Sequence, residues 1–515
     1  MVQMGGAVRA ASPVTMVRAI LRKEMSVAIP SAVQPPTRAS GLGVKLLYGI
    51  GEMPVTISMV LFGLFTLFFY NTVMGLPASL VGFAIAGGLV LDAFLDPYIG
   101  FRSDCSRHWF GRRHSFMLPG AIVLGPCFFL LFSPPRSLNH TGLFLWLLGF
   151  WVAVRVTGAL YRIPYLSLGA ELSSDYDERT IIFSVRALFG LLGALAAAGF
   201  SFLVFTKTSG VDAKLNYANY PRMGLLFGLL MSLSAVLSTL GTLRHRSVAE
   251  ADRSSRPASH FFAGFVLAMR NATFRSVWFY FVVFFLAVVL NASLAIQYFT
   301  WYAKIHAGTA LSSIQVGFYL GALAGVFLWM ALAKRAEKRT LSIAATLGTA
   351  TLLCAATLLI GEGHLFGTGN ALPLILGHFV AGVIASAVWV IPPSMVADIT
   401  DEDEFHTGLR REGMYFGILN LGEKVASGGA LLLAGLLLSF FGRIAPVAPT
   451  ATPHAPAAAP FIGLAYGVIP GVLLVAATLM ILPYKLSRVS LHAIQSQLAK
   501  RRIEEPLKLN VAAHE

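Results

Sequence analysis

Asp92 and Asp96 stand four residues apart inside an apolar stretch, Ser79 to Gly100, that is long enough to cross a bilayer. On a helix this spacing puts both carboxylates on one face, one turn apart. A charge at the bilayer centre costs about 2.5 to 3.5 kcal/mol on insertion scales, so two on one face call for a positive partner, a bound cation or protons. Arg155, Arg162, Arg186 and Lys424 lie in equally apolar surroundings, as do Glu52 and Glu423. Buried acids facing buried bases are suited to taking up and releasing an ion rather than to covalent chemistry. The loops contain no phosphate-binding glycine motif, metal-ligand cluster or nucleophile constellation, so neither an enzyme nor a cofactor is expected.

The elements that must hold these groups are helices in lipid. The chain has 515 residues, 56% hydrophobic and 12% charged, with a mean hydropathy of +0.72, far from soluble globular proteins. Apolar runs of bilayer length centre near residues 60, 88, 124, 157, 193, 232, 288, 323, 350, 385, 428 and 471, which predicts about twelve spans. A transmembrane barrel would need short segments of alternating polarity, and these runs are continuously apolar. The net charge of +15 does not indicate nucleic acid, because of where the charges fall. With the N-terminus inside, about 29 of the 39 Lys and Arg residues lie on cytoplasmic segments and about 6 on outside loops, placing both termini in the cytoplasm. Cys105, Cys127 and Cys354 show no metal-site or disulfide spacing.

Residues 1–44 read as a cytoplasmic, disordered tail with no signal-peptide core, and the true start could be Met16 or Met25. Residues 45–243 form a first six-helix bundle and 274–483 a second. Residues 244–273 are the basic linker between them, and 484–515 a cytoplasmic tail. Within the linker, Phe261, Phe262, Phe265 and Met269 have helical spacing, consistent with an interfacial helix or an extension of the next span. Ile163-Pro164 and Ile391-Pro392 each precede a small residue plus an acid, Ala170-Glu171 and Ala397-Asp398, as expected of corresponding helices in two repeated halves. Ala445 to Pro460 is a Pro-rich outside loop without chemistry. Asn139-His140-Thr141 fits a glycosylation triplet by pattern alone.

Three ordered motifs carry a family resemblance: the D-x-x-x-D-P-x-x-G-x-x-S-D run at Asp92 to Asp104 with Gly111-Arg112-Arg113; IPYLSLGAELSSDYDERT at Ile163 to Thr180; and VADITDEDEFHTGLRREGMYFGILNLGEK at Val396 to Lys424. Together they resemble the glycoside-pentoside-hexuronide:cation symporters, the melibiose-permease-like branch of the major facilitator superfamily. That branch also holds animal lysophospholipid transporters. The resemblance implies an all-α integral membrane protein with the major facilitator fold, about 12 helices in two six-helix bundles, that carries a small molecule by alternating access. It implies that Asp92 and Asp96 bind the coupling cation, that Lys424 faces them, and that Asp104 with Arg112 and Arg113 latches the cytoplasmic gate.

Departures from the family pattern shape the rest. Leu95 and Ala159 stand where the permease has neutral oxygen ligands for sodium, which favours a proton over Na+. Thr56, Arg162 and Leu166 stand where it grips sugar. Glu52, one turn before Thr56, is a substitute acid. Arg162, Arg186 and Arg155 add positive charge suited to a carboxylate or phosphate. The expected substrate contacts are Glu52, Arg162, Tyr165 and Arg186, and the expected substrate is a sugar, glycoside or uronide. The same arginines could instead only neutralise the buried acids. Tyr298, Trp301, Trp389 and Tyr415 could stack on a sugar ring or simply pack, and His378 could relay a proton or sit satisfied in the core. The alternative cargo is a lysophospholipid or other amphiphile. A monomer in the cell membrane, of the bacterial inner-membrane kind, is expected.

Overall fold

The computed structural model describes residues 41–104, 106, 108–172, 176–205, 212–245, 259–408, 411–441, 459–498 and 500. Eleven helices are long and apolar enough to cross a membrane: α1 Leu42–Val73, α3 His114–Leu131, α4 His140–Gly169, α5 Ile181–Phe200, α6 Asn219–Gly241, α7 Ala272–Tyr302, α8 Gly308–Ala333, α9 Lys338–Leu359, α10 Leu372–Thr407, α11 Glu412–Phe440 and α12 Ala459–Ile481. The twelfth is α2, Ala78–Asp104, whose 27 residues span roughly 40 Å at 1.5 Å per residue. Its first half is apolar, and Asp92, Asp96 and Asp104 all fall in its second half. No strand occurs among the described residues.

The helices run alternately up and down, so one end gathers Lys45, Arg113, Lys334 and Lys338 and is termed the basic end. The other end carries the turns after α1 and α7, and these two turns are built alike. Phe69–Val73 and Tyr298–Tyr302 are both π-helical. Leu76 N–H then donates to Tyr70 O at 2.9 Å, and Ile305 N–H to Phe299 O at 2.7 Å. Two residues past each turn the backbone enters the left-handed region, at Gly75 with φ 78° and at Lys304 with φ 55°. Lys304 alone among described non-glycine residues does so, a conformation uncommon for a side chain with a Cβ. The shared geometry relates α1 to α7, and thus α1–α6 to α7–α12. Pro164 in α4 and Pro392 in α10 also occupy corresponding helices.

Packing shows how the two halves meet. At the turn end one apolar core runs through both, joining Phe65, Phe69, Phe202 and Tyr220 to Leu294, Trp301, Ile305 and Leu438. There α2 crosses α11 with almost no space between backbones. A Cβ on Gly435 would lie 2.4 Å from Ala78 O, and one on Gly82 would lie 3.1 Å from Leu432 Cα. Ser79 N–H donates to Ser439 Oγ across this crossing at 2.7 Å. Toward the basic end the apolar residues fall into two separate clusters, one around Tyr48, Met117 and Tyr165, the other around Trp278, Ile391 and Tyr415. The seam is therefore closed at the turn end and parted at the basic end.

Between the halves, Ser259–Arg270 is a helix of its own, ended before α7 by Asn271, whose side chain accepts from Phe274 N–H at 3.0 Å. Phe265 meets Trp278 edge-on at 6.0 Å, while Val266 is exposed. Asn139, the residue of the triplet pattern, caps α4 in the same way, accepting from Gly142 N–H at 2.8 Å.

Candidate functional site

At mid-height the parted seam is lined by ion pairs whose members come from different helices. Arg155 of α4 donates to Asp92 Oδ2, and Lys424 of α11 donates to Asp96 Oδ2. The two acids share one face of α2, as their spacing predicts, but they do not share one base. Lys424, expected to face both, takes Asp96 alone, and Arg155 takes Asp92. Rotation about the α2 axis separates the carboxylates enough that one points within the first half and the other across the seam. The Lys424–Asp96 pair thus ties the second half to the first.

A third pair, Arg186 Nε to Glu52 Oε2 at 3.1 Å, joins α5 to α1. Glu52 owes its position to a break in α1. Pro54 lacks an N–H, and the helix restarts at Met53 after a tight turn. Side chains of α4 brace the break: Tyr161 donates to Gly51 O at 2.9 Å, and Tyr165 donates at 3.0 Å to Tyr48 O, which also accepts from Gly51 N–H at 3.1 Å. The rings of Tyr48, Tyr165 and Tyr161 stack in sequence, with centroids 4.7 and 5.4 Å apart. Tyr165, expected at the substrate, is 0% exposed and spent in this stack. It holds the break in α1 rather than lining the space between halves.

Apart from Asp92, whose side chain is 3% exposed, the charged side chains are not similarly enclosed. Asp96 and Arg155 are each 24% exposed, and Arg186 26%. Because they face one another from α1, α2, α4, α5 and α11, that exposure is to the space within the bundle rather than to lipid. Arg162 differs from the other three bases. It acts electrostatically on Glu52, Glu423, Lys424 and Arg155, yet no acid of the described residues forms an ion pair with it. Glu423 also has no ion-pair partner there. Four positive and four negative groups therefore meet at one level, with three pairs closed and Arg162 and Glu423 left apart.

The remaining sequence candidates divide. Arg113 is buried where α3 begins, beside His114, whose Nε2 lies 3.1 Å from Thr242 Oγ1. Arg112 is half-buried next to it. The side chain of Asp104, the expected partner of these arginines, lies outside the described residues. His378 is satisfied within the second half, with Nδ1 2.8 Å from Leu374 O and Nε2 3.1 Å from the Tyr466 hydroxyl. Tyr298, Trp301 and Tyr415 are buried and Trp389 is exposed. Sequence reasoning passed over the charged pairs that brace the basic end within each half: Lys45 to Glu178 at 3.1 Å, Lys338 to Asp398 at 2.5 Å and Arg411 to Asp403 at 3.5 Å.

Comparison with known proteins agrees with this fold. Residues 47–488 match the model of the family described as MFS/sugar transport protein. The isoprimeverose transporter of Lactiplantibacillus pentosus is 23% identical over 415 residues, covering 79% of this chain and 82% of that protein. The sphingosine-1-phosphate transporter MFSD2B of Mus musculus is 24% identical over 417 residues, covering 77% and 81%. The crystal structure of a D-xylose-proton symporter superposes with a TM-score of 0.55 at 17% identity over 86% of this chain and 97% of that one, which shows the shared fold. The protein is a multi-pass membrane protein with the major facilitator fold, and it belongs to the MFS/sugar transport protein family, of the glycoside-pentoside-hexuronide type.

Proposed function

We propose that this protein is a proton-coupled symporter that moves a sugar acid or related anionic glycoside across the cell membrane by alternating access, with its basic end and both termini in the cytoplasm. The observation that carries this reading is Arg162, a guanidinium in the mid-seam space with no ion pair among the described residues, beside two carboxylates each held by a base.

Charge balance supplies the coupling. With every group ionised, Asp92, Asp96, Glu52 and Glu423 cancel Arg155, Lys424, Arg186 and Arg162. Protonating Asp96 releases Lys424 and leaves the site with one positive charge in excess. A substrate carboxylate on Arg162, with the freed Lys424 nearby, restores neutrality. Proton and anion then cross together because either alone leaves a net charge in low dielectric, which is costly. When both leave at the cytoplasmic end, Lys424 returns to Asp96, the arrangement described above. A sodium ion in place of the proton would need several neutral oxygen ligands around Asp92 and Asp96. Leu95 beside Asp96 offers none.

The test is uptake into proteoliposomes. An inwardly directed proton gradient should drive accumulation of a uronide such as D-glucuronate without sodium, and Asp96→Asn should abolish it. Accumulation that needs sodium and ignores pH would overturn the proton. The second reading, an amphiphile carrier, draws on the likeness to the mouse sphingosine-1-phosphate transporter, since Arg162 suits a phosphate as well as a carboxylate. Thermal stabilisation by a lysophospholipid or sphingosine phosphate, with none by uronides, would select it.

A further inference from the structure

The closed part of the seam contains a set of polar side chains that no hydrogen bond among the described residues satisfies. Gln297 in α7 is 0% exposed, and neither its amide oxygen nor its amide nitrogen has a hydrogen-bond partner. The hydroxyls of Thr66, Ser201 and Ser312 and the indole N–H of Trp301 are buried and unpartnered in the same way. Native cores satisfy nearly all such groups, and apolar residues of the same shape would cost less here. Five of them within one apolar cluster is a pattern rather than an accident of packing.

Their location explains it. Thr66 lies in the Phe62–Thr66 turn of α1, which packs directly on α7. Gln297 and Trp301 are at that end of α7. Ser201 adjoins Phe202, whose carbonyl oxygen would lie 2.9 Å from a Cβ on Gly308, one turn before Ser312. Residues of the first half thus face residues of the second, at the end where the halves meet and must part if the site is to open in that direction. Asp212, Lys214 and His306, charged groups of this end, lie in the loops above and pair with each other.

We propose that Gln297, Trp301, Thr66, Ser201 and Ser312 form a second substrate station on the outer side, which binds the hydroxyl groups of a polyhydroxylated substrate and is exposed only when the turn end opens. The amide of Gln297 offers donors and an acceptor together, matching a pair of vicinal hydroxyls. The three hydroxyls add adaptable partners, and Trp301 adds an N–H beside an apolar face. The station is uncharged, so it reads hydroxyls while Arg162, deeper in the seam, reads the acid. Closing this end strips the five groups of partners, which raises the closed state in energy and keeps opening accessible. The inference rests on the transporter reading above and extends it to a site of first encounter.

The experiment uses the full chain in right-side-out vesicles with Ser201→Cys or Ser312→Cys, the unsubstituted chain serving as background for its native cysteines. A membrane-impermeant thiol reagent is added from the face bearing Asp212 and His306, with no ion gradient. We expect both variants to be labelled, labelling to slow several-fold under saturating D-glucuronate or methyl glucoside, and Gln297→Leu to weaken that protection about tenfold for both sugars. No labelling from that face overturns the proposal, and so does labelling that neither sugar slows, which would mean hydration only. Protection is read without transport: a protected cysteine in a chain that shows no proton-driven uptake keeps the station and removes the coupling.

Discussion

His306 Nδ1 lies 2.6 Å from Asp212 Oδ2, joining the loop after α7 to the loop before α6 across the seam at the turn end. Asp212 also holds Lys214 at 3.1 Å, and Lys214 Nζ reaches back across the seam to donate to Ile305 O at 2.8 Å. Lys214 is only 2% exposed, so its leg of the latch is buried, while the His306 leg, 53% exposed, faces outward. Burial pushes the Asp212 carboxyl up, but the Lys214 ammonium, the His306 hydrogen bond and the Lys214 backbone N–H together bring it below its ordinary value. A depressed carboxylate contributes stability that is fully present above its unfolded value and is lost as pH falls through the folded one. The Asp212 leg of the latch is therefore intact at neutral and mildly acid pH and fails only below the ordinary aspartate range. Asp212→Asn should destabilise the closed turn end by about 3 kcal/mol, the low end for stranding a buried charge because Lys214 keeps the Ile305 carbonyl. The drop in melting temperature relative to the native chain at pH 7 should shrink in strong acid, where the native carboxylate is itself neutralised.

Lys424 and Asp96 are expected to separate stability from coupling. Lys424→Ala leaves Asp96 ionised without its base and should cost about 3 kcal/mol, read as a lower melting temperature in detergent. Asp96→Asn with Lys424→Gln removes both charges and should recover most of that loss. Uphill uptake driven by a proton gradient should remain absent in the double variant, and so should exchange of an anionic substrate, which would leave the site one negative charge in excess. Asp96→Asn alone, with Lys424 free to balance the anion, should keep exchange. Recovery of uphill uptake in the double variant would mean that another group carries the proton.

Arg162→Gln tests what the unpaired guanidinium binds. A charge-assisted hydrogen bond contributes about 1.5 to 3 kcal/mol, so the affinity for a uronic acid should fall about ten- to a hundredfold. Inhibition by the corresponding neutral glycoside should change less than about twofold, since its hydroxyls do not depend on that charge. Equal losses for both would assign Arg162 to balancing Glu52 and Glu423 instead.

How much of this was legible beforehand varied with the range of the interaction. The spans follow from local hydropathy, and the shared face of Asp92 and Asp96 follows from helical period, so both could be read directly. The choice of Arg155 for Asp92 and Lys424 for Asp96 depends on how α2 is rotated against α4 and α11, which no local pattern encodes. Tyr165 looked available for a sugar because an aromatic ring close to Arg162 could stack on one. Its burial arises from residues more than a hundred positions earlier, at the break in α1 beside Pro54, where its ring stacks between Tyr48 and Tyr161 and its hydroxyl donates to Tyr48 O. Pro54 was the available signal. The matched turns at Phe69–Val73 and Tyr298–Tyr302 escaped notice because Gly75 and Lys304 share a backbone conformation and no chemistry. The latch of Asp212 and His306 joins residues 94 apart in loops that carry no periodicity.

Gly435 offers a way to hold the turn end open without touching any charged group. A Cβ there would lie 2.4 Å from Ala78 O and 3.2 Å from Gly82 Cα, both backbone atoms that cannot swing aside. Gly435→Val must therefore push α2 and α11 apart at their crossing, and it also separates Ser79 from Ser439. Helix pairs that touch through small residues lose their association when one is enlarged, because packing rather than the hydrophobic effect holds them together in lipid. The variant should insert and fold, since the separate basic-end clusters of each half are untouched, but it should fail to close at the turn end. Substrate uptake should be lost, a cysteine at Ser201 should react with an impermeant thiol reagent faster than in the glycine parent, and substrate binding from that face should survive. If uptake in Gly435→Val matched the native rate, close approach of α2 and α11 would not be required for the transport cycle.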